Sequence, residues 1–208
     1  MLFRPLFAVV GLSVLAGFCG ELPANLAPAD IPRAQLLGDQ IANLGPKVRP
    51  DEAQRVAECA YATAQRLRLN YGTLWPPSLN NVLVNTGFRK RGLCFQWAED
   101  LLAQLDALKA TTIELHWADA YAGTWREHNV VVVTAKGQPF RDGILLDCWR
   151  HAGHLFCSRV ATDNYPWVEN SSYAGIVRSK FEPIRKSLIE EQSRSTSNKG
   201  SPITAATR

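Results

Sequence analysis

Helices first and then a meander of strands, an α+β fold with N-terminal helices packed on an antiparallel sheet, is what this 208-residue chain predicts. Three observations carry the prediction. As far as Leu108 the apolar side chains recur at three- and four-residue spacing. From Thr111 to Ala161 they alternate with polar ones or form short continuous runs. The joins between those runs are rich in Gly, Pro and Asp, as hairpin connections are. The length suits one domain with a sizeable core.

The elements follow in order. Leu37, Ile41 and Leu44 predict a short helix from Pro32, ended by Gly45-Pro46. Pro50-Asp51-Glu52 opens a stronger one whose buried face is Ala53, Val56, Ala57, Ala60, Ala64 and Leu67, with Cys59 beside it as a small core residue. Asn70 to Gly72 close it. Trp75-Pro76-Pro77 forces a loop, and Ser78 is placed to cap a short helix that stops near Asn85-Thr86-Gly87. Gly92 then breaks the chain before a helix with Cys94, Trp97, Ala98, Leu101, Leu105 and Leu108 on one face. Four strands are expected at Thr111–Ala118, Glu127–Thr134, Gly143–Trp149 and Leu155–Ala161, the second apolar on both faces as a central strand would be.

Both ends read as lying outside the fold. Arg4 and the apolar run from Leu6 to Phe18 form a targeting segment over residues 1–20, too short to span a bilayer. Leu15-Ala16-Gly17 ahead of Cys19 resembles a bacterial lipoprotein signal, although Phe18 stands where a small residue belongs. The expectation is export to the periplasm or cell envelope, with membrane attachment if Cys19 is lipidated. Residues 21–32 read as a linker, 33–192 as the domain, and the Ser-, Thr- and Lys-rich stretch 193–208 as a disordered tail. A net charge of +4 without a long basic cluster gives no case for a nucleic-acid partner. Arg89-Lys90-Arg91 is the densest basic stretch and reads as a solvated loop.

Chemistry is concentrated around Cys94. The first turn of a helix has unpaired N–H groups and the positive end of the macrodipole, which favour a thiolate over a thiol. His128 opens the second strand and Asp147 lies late on the third. With a loop across 135–140, position 131 is expected to face 144 and position 128 to face 147. Directly opposed residues share a sheet face with Cβ atoms about 4.5–5.5 Å apart. Asp147 could then orient the imidazole of His128 while the other ring nitrogen serves the sulfur. The backbone N–H of Cys94 is an oxyanion donor in this reading, with Gln96 and Asn85 as further donors.

The Gly92-x-Cys94-x-x-x-Ala98 stretch, followed by His128 and Asp147 on successive strands, resembles the transglutaminase-like superfamily of papain-like cysteine enzymes. The resemblance covers roughly residues 85–150. It departs at Val130, where an aromatic often follows the histidine, and at Cys148, where proline often follows the aspartate. It implies a Cys94-His128-Asp147 triad acting on peptide or protein amides through a thioester, with no cofactor. A catalytically silent binding or envelope protein and a cell-wall peptide hydrolase are the alternatives.

Rival roles attach to neighbouring residues. His116 is a competitor for His128, although Glu114 beside it marks a solvated face. Trp97, Trp125, Trp149 and Trp167 read as core or cleft packing, with Trp97 also a substrate contact because of its place beside Cys94. Glu99 and Asp100 read as partners of the helix dipole. Cys148-x-x-His151-x-x-His154-x-x-Cys157 has zinc-like residue types, but all four come from one hairpin, so no metal is expected. If 151–154 form its loop, Cys148 faces Cys157, which leaves a plain hairpin with or without a cross-strand disulfide.

Overall fold

The computed structural model describes residues 26–198, an arrangement of helices on a five-stranded antiparallel sheet. Four helices come first: α1 (Ile31–Ala42), α2 (Pro50–Tyr71), α3 (Pro77–Asn85) and α4 (Cys94–Ala107). Pro at the first positions starts three of them, where its missing N–H costs nothing. Gly72, at φ 57°, ends α2 in the left-handed conformation that favours glycine. Pro76, not Ser78, precedes α3, because Pro77 already fixes the φ of the first helical residue.

The sheet contains β1 (Ile113–Ala120), β2 (His128–Ala135), β3 (Ile144–His151), β4 (His154–Arg159) and the short β5 (Val168–Glu169), in spatial order β4-β3-β2-β1-β5. A final helix, α5, runs Ser171–Asn198. Neither β5 nor α5 was expected. Two residues are too few to show alternation, and the charged α5 has only a weak apolar stripe. The helix also continues past residue 193, where a structureless tail was expected. Glu190, Glu191 and Gln192 are good helix formers. The targeting segment over 1–20 with Cys19, and the tail beyond 198, lie outside the described residues. Among the described residues no helix is long and apolar enough to cross a membrane.

Two apolar clusters sandwich the sheet. On one face α1, α2 and α4 pack against Trp117, Val131, Val133, Ile144 and Leu146. On the other, Val130, Val132 and Leu145 meet Val160 and Trp167, with Tyr165 and Phe156 alongside. All eight residues of β2 are buried, as its central place requires. Buried Glu52 ties α2 to the entry of β1, accepting from the N–H and hydroxyl groups of Thr111 and Thr112 at 2.7–2.9 Å. Burial would raise its pKa, but those four donors outweigh it and hold it at about 2.

The β2–β3 register differs from the expected one by two residues: Val131 pairs with Leu146 and Val133 with Ile144. A two-residue slip keeps every side chain on its face, so His128 and Asp147 still lie together. The β3–β4 hairpin differs too. Its turn does pair His151 with His154, but a register shift between Asp147 and His151 puts Leu146 opposite Cys157. Cys148 and Cys157 are therefore not directly opposed, and both are free thiols rather than a disulfide. Burial raises both thiols, Cys157 to about 12. Gly153, at φ 93°, lets the hairpin turn press on Arg68 and Trp97; a Cβ there would stand 2.5 Å from Arg68 Cβ.

Candidate active site

Gly92 holds φ 142°, so the chain turns sharply into α4 with Cys94 as its first residue. Gln96 reaches back over that turn, its Oε1 accepting from the N–H of Gly92 at 2.7 Å and of Leu93 at 3.1 Å. Trp97 Nε1–H donates to the carbonyl of Gly92 at 3.2 Å, and its ring packs edge-on against Tyr71. Gln96 caps the helix, and Trp97, 1% exposed, belongs to the core. Asn85 ends α3 as an exposed residue.

Cys94 Sγ lies 3.5 Å from the carbonyl oxygen of Glu127 and 3.4 Å from Asn129 Oδ1, the two residues that flank His128. The sulfur therefore meets the start of β2, across from the buried imidazole. His128 Nε2–H donates to Asp147 Oδ2 at 2.7 Å. Its Nδ1 is buried and makes no conventional hydrogen bond within the described residues. Burial would lower the His128 pKa. The charge and hydrogen bond of Asp147 outweigh it, the Cys94 sulfur adds to them, and the imidazole rises to about 9.

Asp147 is held from four directions. Besides His128, it accepts from the backbone N–H of Trp149 and of Arg150, both at 2.9 Å, and from Arg150 Nε at 3.0 Å. The irregularity in β3 just beyond Asp147 accompanies the two backbone donations back to its carboxylate. Burial alone would raise the Asp147 pKa, but these partners keep it below the usual carboxylate range.

Two parts of this network were not legible beforehand. Arg150 extends from Asp147 to Asp163, donating from Nη1 at 2.8 Å and Nη2 at 3.2 Å, and lies over the rings of Phe156 and Tyr165. Asp163 in turn accepts from Trp167 Nε1 at 3.0 Å. Trp149, Tyr165 and Trp167 then wall the His128 ring at centroid distances of 4.9, 5.4 and 5.6 Å. The second part is Asn129. Its Nδ2 donates to Asp119 Oδ1 at 2.9 Å, which directs its amide oxygen to the sulfur. Its place next to His128 at the start of β2 was the available signal for Asn129. For Arg150 and Asp163 the sequence carries none.

Arg150→Lys should keep the charge but lose the fork that spans both carboxylates. We expect a stability loss of about 1–3 kcal/mol in thermal denaturation, with Trp167 fluorescence changing in step.

The remaining residues have other duties. His116 bonds Glu169 at 2.7 Å and Thr134 at 2.8 Å, and lines a cavity of about 400 Å³ between α4, β1 and α5, apart from Cys94. Glu99 is buried against Tyr173 and Lys180, and Asp100 pairs with Arg91. Trp125 is 94% exposed. Among the described residues no three His, Cys, Asp or Glu side chains are grouped to hold a metal ion.

No protein-family model, no curated protein and no solved structure matches this chain.

Proposed function

We propose that the chain is a cysteine enzyme of the transglutaminase-like, papain-like kind. Its reading in particular is a hydrolase or acyltransferase for peptide or protein amides. One observation carries this: the sulfur of Cys94 abuts the residues on either side of His128, whose far nitrogen is fixed by Asp147.

The chemistry follows from that placement. A protonated imidazole needs an acceptor at each nitrogen, and Asp147 satisfies only Nε2. In the proposed reaction the Cys94 sulfur supplies the other once its proton has passed to Nδ1. The sulfur adds to the amide carbonyl carbon, and the oxyanion receives the N–H of Cys94 from the first turn of α4, where N–H groups have no partner within the helix. His128 gives its Nδ1 proton to the leaving amine as the C–N bond breaks, leaving a thioester on Cys94. Water or a second amine, deprotonated by His128, then attacks the thioester and releases the thiol. Asp147 stays ionised throughout and stabilises the imidazolium. A role in the cell envelope rests on residues 1–20 and is part of the proposal only.

A second reading has its own support. The 2% exposure of His128 and the engagement of Cys94 by Asn129 fit a binding protein whose triad is closed to substrate.

The test is covalent trapping with a peptide that carries an electrophile in place of the scissile amide. Mass analysis is expected to place the adduct on Cys94, and Cys94→Ala to abolish it. Adduct formation at Cys148 or Cys157 instead would overturn the assignment.

A further inference from the structure

Residues 72–93 contain no Asp or Glu, yet hold Arg89, Lys90 and Arg91. Of the eleven exposed large hydrophobic side chains among the described residues, five fall here: Leu74, Trp75, Leu79, Val82 and Phe88, from 39% to 82% exposed. Helix α3 is inverted relative to an ordinary amphipathic helix. Two of its three asparagines face the protein: Asn80 binds both backbone groups of Leu74 at 3.0 and 2.8 Å, and Asn81 accepts from Trp149 Nε1 at 3.2 Å. Leu79 and Val82, three residues apart and so on one stripe, face water. Such a surface invites a partner.

We propose that this face docks peripherally on an anionic phospholipid bilayer. Apolar and aromatic side chains at 75–88 suit the boundary between headgroups and acyl chains. The cations beside them suit phosphate. Arg91 is already paired with Asp100, but Lys90 is exposed and Arg89 donates to the neutral amide of Asn80 rather than to a carboxylate. A stretch of 22 residues without one carboxylate matches a uniformly negative surface better than the mixed charges of a protein partner. Because Leu93 leads directly into α4, docking sets Cys94 beside that surface. The inference does not depend on Cys94 being a nucleophile.

Co-sedimentation of the full chain with vesicles tests it. Vesicles of equal parts phosphatidylglycerol and phosphatidylcholine should bind the chain, and pure phosphatidylcholine should bind it markedly less. The double variant Val82→Ser/Phe88→Ser should weaken binding about tenfold or more, and Lys90→Gln about fivefold. Circular dichroism should show both variants folded, since the altered side chains are solvent-exposed. Equal binding to both vesicle types, or unchanged binding by the double variant, overturns the proposal and assigns any attachment to another part of the chain. A self-associating parent that becomes monomeric in the double variant, with vesicle binding intact, overturns it in favour of a second copy.

Discussion

Asp147→Ala is expected to be the most damaging single change, lowering stability by about 3–5 kcal/mol. The carboxylate is buried, and its removal leaves the imidazole of His128 and the guanidinium of Arg150 without their shared counter-charge. At about 2–4 °C per kcal/mol for a domain of this size, the thermal midpoint should fall by roughly 10 °C. Differential scanning calorimetry of the purified variant would measure it. A change of only a degree or two would mean that Asp147 is not the keystone described. Asp147→Asn separates charge from shape. It should cost less stability but lower the His128 pKa, because the charge that raises it is gone.

The same pair makes stability depend on pH from both sides. The His128 pKa rises on folding from 6.5 to about 9, so its contribution is complete below pH 6.5 and is lost as the pH climbs through about 9. The Asp147 pKa is lowered on folding, so its contribution is present above 3.8 and is lost as the pH falls through the depressed folded value. Stability should therefore decline on both the acid and the alkaline side.

His128→Ala should lower kcat/KM by about 10³–10⁴. In the proposed reaction the imidazole is the acid that lets the amine leave, so the proton on Nδ1 is required for the first step. Wild-type kcat/KM should accordingly fall as the pH rises through about 9, where His128 gives that proton up. Steady-state assays on a chromogenic peptide amide across that range would show it. A rate indifferent to His128 would remove the imidazole from the reaction and overturn the triad.

Much of the frame was legible because periodicity reports burial directly. The Ala53–Leu67 stripe forecasts α2, and the apolar run of β2 forecasts a strand covered on both faces. The order of Cys94, His128 and Asp147 could be read for a related reason: a helix start and two adjacent strands leave few ways to arrange three residues. What could not be read depends on local irregularity. The shift in β3 moves Cys157 opposite Leu146, and no composition rule announces it. Arg150 and Asp163 meet across a loop, where sequence distance says nothing of spatial distance. Gln96 shows the opposite failure. A polar residue beside a nucleophile reads as chemistry, yet the orphaned N–H groups at the helix start claim it first.

The central claim is that Cys94 and His128 act as one unit, and the most direct measurement is the rate of iodoacetamide alkylation at Cys94 at pH 6, resolved by peptide mass analysis. The account predicts that His128→Ala slows alkylation of Cys94 at least about tenfold while Cys148 and Cys157 stay unreactive in both proteins. Equal rates at Cys94 with and without the imidazole would contradict it.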